Sequence, residues 1–423
     1  MSVIRHSFIR TGLILVLALL NVTSLTAAER DLASASPEEV GMSSEKLAAF
    51  TAAMRGEVDK GQLAGIVTLV ARHGKLVQQD HYGFQDLENG VPMEEDTIFR
   101  IFSMTKPITG VAMMMLYEEG KFSLDDPVGK YIPEFADLVV AKDDAPNGIP
   151  MAELAQHPMT MRELMSHTGG LTYGAFSRSR VDTLYSEANV LDRQSSLQDM
   201  IDKLAQIPLR QQPGTLWHYS VSVDVQGYLV EKLSGKSFDA FLQERLFTPL
   251  GMTDTRFYVG RDKASRLSRE YTSGPNGLSS PENGEFIDPV PFLSGGGGLT
   301  STAQDYLRFA QMLANGGELD GVRILSPDSV TLMRSNQLPA GMTEIPGYPG
   351  NVFGLDFAIV NDPAKNGGMS AGSYWWWGIA GSWFWIDPVE DVVFVGMIQN
   401  RNLRYARELQ LRSKELLYDA IVD

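Results

Sequence analysis

The chain carries Ser103-Met104-Thr105-Lys106, a serine and a lysine three residues apart. On a helix that spacing puts both side chains on one face, so the amine can come within hydrogen-bond reach of the hydroxyl. Burial disfavours an ammonium, so a lysine placed there loses part of its hold on a proton and can act as a base. A serine at the start of the helix also meets unpaired backbone N–H groups and the positive end of the helix dipole, which favour an alkoxide or an oxyanion. The apolar segment 98–102 precedes the motif, and Ile108, Val111, Ala112, Met115 and Leu116 continue it at helical spacing. Pro107 is compatible with that helix, because proline is tolerated in a first turn whose N–H groups are unpaired anyway.

Composition narrows the alternatives. The 423 residues include no cysteine and only six histidines. Disulfides, thiolate nucleophiles, Cys-ligated zinc and iron–sulfur clusters are therefore excluded, and hydrolysis has to work with little histidine. Asp+Glu 52 against Lys+Arg 36 gives a net charge of −16, the wrong sign for neutralising phosphates, so no nucleic-acid partner is expected. A hydrophobic content of 43% with 21% charged residues suits a globular protein with a sizeable core.

Other motifs fail on context. Gly368-Met369-Ser370-Ala371-Gly372 fits the G-x-S-x-G elbow, which needs a strand before it and an acid and a histidine after it. The last histidine is His218, and the polar turn 362–367 stands where the strand should be, so the segment reads as a Gly-rich surface loop. Gly235-Lys236-Ser237 resembles the end of a phosphate-binding loop, yet Val230 occupies the position of its first glycine. There is no H-E-x-x-H, and His157 and His167 lie ten apart without a third ligand, so neither a metal nor a cofactor is expected. Ser43-Ser44-Glu45-Lys46 repeats S-x-x-K but reads as a helix cap.

The elements that must position Ser103 and Lys106 follow from periodicity. Residues 1–28 combine Arg5 and Arg10, an apolar run over 13–20 and Thr26-Ala27-Ala28, the pattern of a signal peptide cleaved near Ala28. The product is expected to be periplasmic or secreted, with no membrane span after cleavage. Ser43 starts a helix with Leu47, Phe50, Met54 and Val58 on one face, and strands over 65–71 and 76–82 flank the turn 72–75. Capping boxes begin at Thr160 and Ser196, a helix through Val225, Tyr228, Leu229 and Leu233 stops at Gly235, and Thr302 caps another. Strands return over 353–360, 383–386 and 392–398, and an amphipathic helix closes the chain over 403–421. The expected fold is an α/β (α+β) domain in two parts, 29–110 and 256–423, around a mainly helical part over 111–255.

Further along stand Pro213-Gly214 before Tyr219-Ser220, the glycine run Gly295 to Gly298, and Trp376-Trp377-Gly378-Ile379 before a strand. Leu124-Asp125-Asp126-Pro127-Val128, Leu164 to Leu171 and Phe384-Trp385-Ile386-Asp387-Pro388 complete an ordered set. With Ser103 and Lys106, this set resembles the penicillin-recognising serine hydrolases, the class C β-lactamase and D-alanyl-D-alanine peptidase superfamily, and most closely the family VIII carboxylesterases. The resemblance covers essentially the whole mature chain. It implies a class C β-lactamase-like fold, an antiparallel sheet flanked by helices with a helical insertion domain. It also implies a nucleophile at Ser103, an activating amine at Lys106 and a general base and proton donor at Tyr219. The oxyanion hole would be the backbone N–H groups of Ser103 and Ile379, and Trp376, Trp377 and Gly378 would contact substrate.

Two departures qualify the resemblance. Val221 stands where the lactamase Y-x-N box has asparagine, and Trp376-Trp377-Gly378 replaces K-T-G, as in the esterase branch. Lys365-Asn366-Gly367 is a rival K-x-G, but it lies in the polar turn. The implied activity is cleavage of short-chain carboxylic esters through an acyl-enzyme, with weak β-lactam hydrolysis beside it. A β-lactamase or D-alanyl-D-alanine carboxypeptidase, and a β-lactam-binding protein that does not turn over, stay open as alternatives. The partner in each case is a small-molecule ester or β-lactam. The tryptophan run could instead be edge-strand packing. The glycine run reads as structural, and His218 as a packed histidine.

Overall fold

Strand-forming runs near both ends of the chain build one eight-stranded antiparallel sheet in the computed structural model. The structure describes residues 31–142, 151–176, 178–281 and 285–423, and the signal peptide expected over 1–28 lies outside them. The strands are β1 (Gly65–Arg72), β2 (Lys75–Asp86), β3 (Val91–Pro92), β4 (Asn351–Phe353), β5 (Ala358–Val360), β6 (Tyr374–Trp377), β7 (Trp383–Asp387) and β8 (Val392–Met397). Their spatial order is 4-5-6-7-8-1-2-3, so the two ends of the chain meet where β8 pairs with β1.

Alternation of side chains sorts the central strands between two cores. Trp383, Trp385, Phe394, Ile66 and Val70 face one side, against Leu47, Phe50 and Met54 of helix α1 (Ser44–Asp59) and Leu409 and Leu417 of the C-terminal helix (Leu403–Asp419). Phe384, Ile386, Val393, Val395, Val67 and Leu69 face the other. There they meet the main core, which runs through helices α2 (Thr105–Glu118), α3 (Ser222–Ser234) and α4 (Ala303–Ala314). The C-terminal helix is α5. Because both faces are covered, β1, β7 and β8 are buried along their whole length and read as continuous apolar runs.

Local signals hold at most element ends. Ser43 Oγ accepts the Lys46 N–H at 3.3 Å, so the second S-x-x-K is a cap. Thr160 and Ser196 form capping boxes, Thr302 caps α4, and Gly235 ends α3 with φ 70°. The β1–β2 turn is tighter than expected. Only His73 and Gly74 remain in the loop, with φ 51° and 70°, the left-handed pair that a type I′ hairpin requires. The strand expected over 353–360 is a hairpin, β4 and β5, because the chain reverses at Asp356 with φ 65°. Gly354 permits that reversal, since a Cβ there would lie 2.0 Å from the Met333 carbonyl oxygen. The tryptophan strand β6 is internal, between β5 and β7, and not at an edge.

Residues Leu32–Asp423 form one compact unit in which the helical middle shares its core with the strands from both ends. Among the described residues, no helix is long and apolar enough to cross a membrane.

Candidate active site

A short ladder, Phe99–Arg100 with Thr300–Ser301, ties the segment before Ser103 to the segment after the glycine run. The backbone then turns sharply: Phe102 has φ 42°, a conformation that costs energy in any residue with a side chain. The Phe286 ring, 5.8 Å away edge-on, and the Arg401 guanidinium, 4.4 Å above, hold Phe102 in place. Ser103 follows in a 3₁₀ turn over Phe102–Met104 that runs into α2. Its N–H belongs to the first turn, where no intrahelical acceptor is available.

Lys106 lies one turn on and is fully buried. Its Nζ is 3.3 Å from Ser103 Oγ and donates to the Gly296 carbonyl at 2.6 Å. The Gly296 N–H donates in turn to Asp224 Oδ1 at 3.0 Å, so one residue's backbone links the acid on α3 to the amine on α2. The glycines are required for this approach: a Cβ on Gly295 would lie 2.3 Å from the Val223 carbonyl oxygen. The run is structural, as its sequence suggested, and it also supplies the lysine's acceptor.

Tyr219 enters from the opposite wall and donates its hydroxyl to Ser103 Oγ at 2.7 Å. Its segment is pinned to the loop after the helix Met161–Met165. The N–H groups of Gly214, His218 and Val221 donate to the carbonyls of Thr168, His167 and Thr172 at 2.9, 2.9 and 3.1 Å. That pairing explains why the Leu164–Leu171 and Pro213-Gly214 motifs accompany Tyr219. Tyr173 stacks on the Tyr219 ring at 5.4 Å and 12°. Lys106 Nζ lies 4.6 Å from the Tyr219 centroid and 5.3 Å from that of Tyr173. Neither Tyr173 nor Asp224 carries a motif of its own, and sequence reasoning missed both.

Burial sets the protonation states. It lowers the Lys106 pKa to about 8, with Asp224 and Asp356 pulling it back up. It raises Tyr219, with Ser103 and Trp376 acting in the other direction, so the phenol is neutral. Asp224 is raised by burial against the pull of Lys106, and Asp356 is raised well above the usual carboxylate range. Burial followed by the nearby Lys106 charge holds His167 well below its usual value. Burial and Arg210 take His218 to about 4. His218 Nε2 sits 3.0 Å from Thr172 Oγ1, and its other nitrogen 3.4 Å from Arg210, so it is engaged away from Ser103.

Ser103, Tyr219 and Ile379 line one cavity of about 630 Å³ with mostly aromatic walls, including Trp376 and Trp377. Gly378 does not line it. It lies against the chain before Ser103, where a Cβ would come within 2.4 Å of the Ile101 carbonyl oxygen. Ile379, the next residue, lines the same cavity as Ser103, and among the described residues nothing accepts the Ile379 N–H. Unpaired backbone N–H groups in a cavity wall are the kind of donor that an oxyanion can use. Ser370 is outside the cavity with its N–H on Asp387 Oδ2 at 3.1 Å, and Lys365 is also outside it, paired with Glu344 at 3.4 Å. Among the described residues, no group of three or more His, Cys, Asp or Glu side chains is arranged to hold a metal.

The model of the Beta-lactamase family matches residues 50–416. Protein Rv1367c of Mycobacterium tuberculosis is 37% identical over 82% of this chain and 89% of its own. Esterase EstB of Burkholderia gladioli is 31% identical over 85% of this chain and 91% of its own. Among solved structures, EstCE1, described as a hydrolase with promiscuous acyltransferase activity, superposes with a TM-score of 0.76 at 25% identity, over 88% of this chain and 99% of its own. A match that begins in α1 and ends in α5, on a fold shared with that structure, makes this chain a member of the beta-lactamase family.

Proposed function

We propose that this protein is a serine carboxylesterase that cleaves short-chain esters through an acyl-enzyme on Ser103. The observation that carries this reading is the Ser103 hydroxyl, 2.7 Å from the Tyr219 hydroxyl and 3.3 Å from the Lys106 amine at the wall of an aromatic cavity. The likeness to esterase EstB and to the hydrolase EstCE1 supports it.

In this reading the neutral Lys106 amine keeps one N–H on the Gly296 carbonyl and turns its lone pair to Ser103. Ser103 Oγ attacks the ester carbonyl as its proton passes to Lys106, and the N–H groups of Ser103 and Ile379 stabilise the oxyanion. As the ester C–O bond breaks, Tyr219 gives its proton to the departing alkoxide and is reprotonated by the Lys106 ammonium. Water then repeats the sequence on the acyl-enzyme, releasing the acid and restoring Ser103. The cavity has room for a short acyl chain and the apolar part of an alcohol together.

Trp376 and Trp377 stand where the resembled lactamases carry a carboxylate-binding lysine, so β-lactam turnover is a minor activity in this reading. Export through the signal peptide over 1–28 belongs to the same proposal. The deciding experiment is hydrolysis of p-nitrophenyl butyrate by Ser103→Ala and Ser370→Ala. The first should abolish turnover and the second leave it intact; the reverse result would overturn the assignment. Nitrocefin turnover above the ester rate would favour a β-lactamase instead.

A further inference from the structure

A second cavity of about 490 Å³ lies between the sheet and α5, sharing Tyr348, Trp377 and Leu403 with the first as a common wall. One side is the α5 face carrying Leu403, Arg407, Leu411 and Lys414, residues at helical spacing. The other includes Met369, Trp375, Trp383 and Trp385.

The charge around this cavity is one-sided. Its charged residues are Lys365, Arg404, Arg407 and Lys414, and among the described residues no Asp or Glu lines it, in a chain whose net charge is −16. Lys365 is paired with Glu344 and Arg404 with Glu408, while Arg407, at the exposed rim, donates to the Gly347 carbonyl. Lys414 is different: it is only 8% exposed, and among the described residues no carboxylate pairs with it. Its Nζ donates once, to the Asn366 carbonyl at 3.3 Å, and lies 5.8 Å from the Trp375 ring centroid. An ammonium has three N–H donors, so most of its capacity is unused. Burial, with Arg407 beside it, lowers the Lys414 pKa to about 8, which leaves it mostly charged at neutral pH. The Trp385 Nε1, also buried, has no acceptor among the described residues.

A buried cation and an unpaired buried N–H are costly unless an anion meets them. The surrounding tryptophans require the rest of the ligand to be apolar. Phosphate, polar on every side, would leave the tryptophan walls without an apolar partner. We infer that this cavity is a second ligand site, taking an apolar monocarboxylate with its carboxylate on Lys414 and its body against the tryptophans. This inference does not depend on the esterase reading, because its test measures binding alone.

The test is calorimetric titration of the full chain at neutral pH with sodium octanoate and with uncharged octanamide. Octanoate should bind at one site, with octanamide about tenfold weaker or worse, the difference expected for one charge-assisted contact. Lys414→Met should weaken octanoate by about the same factor and remove the preference for the acid, while Lys414→Arg retains it. Phe176→Ala, in the wall of the first cavity, should leave octanoate binding unchanged. Thermal unfolding checks that each variant is folded. If Lys414→Met does not fold, Leu411→Trp blocks the site sterically from a position 46% exposed, and octanoate binding should be lost. No binding of octanoate, equal binding of octanamide, undiminished binding by folded Lys414→Met, or loss of binding in Phe176→Ala would each overturn the inference.

Discussion

Lys106 is where burial and charge pull against each other. Burial drives its pKa down to about 8 while Asp224 and Asp356 hold the proton on. If the neutral amine is the base, kcat/KM for p-nitrophenyl butyrate should rise with pH through about 8 and level off above it. Asp224→Asn keeps an acceptor for the Gly296 N–H but removes an acid that raises the Lys106 pKa, so the rising limb should move to lower pH. A limb that stays in place would remove Asp224 and Lys106 from this role. Tyr219→Phe deletes the phenolic proton without opening the stack on Tyr173, and should lower kcat by about 10²–10⁴. Circular dichroism should show that its fold is retained.

At the scale of elements, the site depends on two close backbone approaches. The glycine run brings the Gly296 carbonyl to Lys106, and Gly378 brings the end of β6 to the chain before Ser103. Gly378→Ala would place a methyl group 2.4 Å from the Ile101 carbonyl oxygen and move the Ile379 N–H away. A kcat loss on the order of 10² is expected, comparable to removing one oxyanion donor. Gly56→Ala in α1 is the control, because a Cβ there meets nothing within 4 Å. It should leave kcat unchanged and stabilise the protein by up to about 1 kcal/mol. A steady-state assay beside urea unfolding separates the two effects.

On the scale of the whole molecule, the sheet joins strands from opposite ends of the chain, so its central strands carry the fold. Phe394 of β8 is fully buried, stacked on Trp385 at 4.0 Å and edge-on to Phe50 of α1 at 6.1 Å. Phe394→Ala should cost about 3–5 kcal/mol in urea unfolding. The same face of the sheet, further along β6 and β7, opens into the second cavity under α5. Two cavities thus meet at Tyr348, Trp377 and Leu403: the first holds the nucleophile candidate, the second a buried cation.

What the sequence determined by itself is what local spacing encodes. The Ser103–Lys106 face, the caps at Ser43, Thr160, Ser196 and Thr302, the short strand runs and the ordered family motifs all depend on neighbours a few residues apart. The absence of any histidine after Ser370 also removed the competing elbow without reference to a structure. Where a local cue gave only an apolar run, as over 353–360, a left-handed Asp356 split it into a hairpin. The tertiary structure alone decided what spans long separations. Tyr219 meets Ser103 across 116 residues, and Lys106 meets the Gly296 carbonyl across 190. Asp224 on α3, Asp356 in the β4–β5 turn and Tyr173 in the loop after the helix Met161–Met165 enter the site only because those separate elements pack around Lys106. Burial is a property of that packing, so the pKa of Lys106 and the unpaired charge of Lys414 were outside the reach of residue spacing.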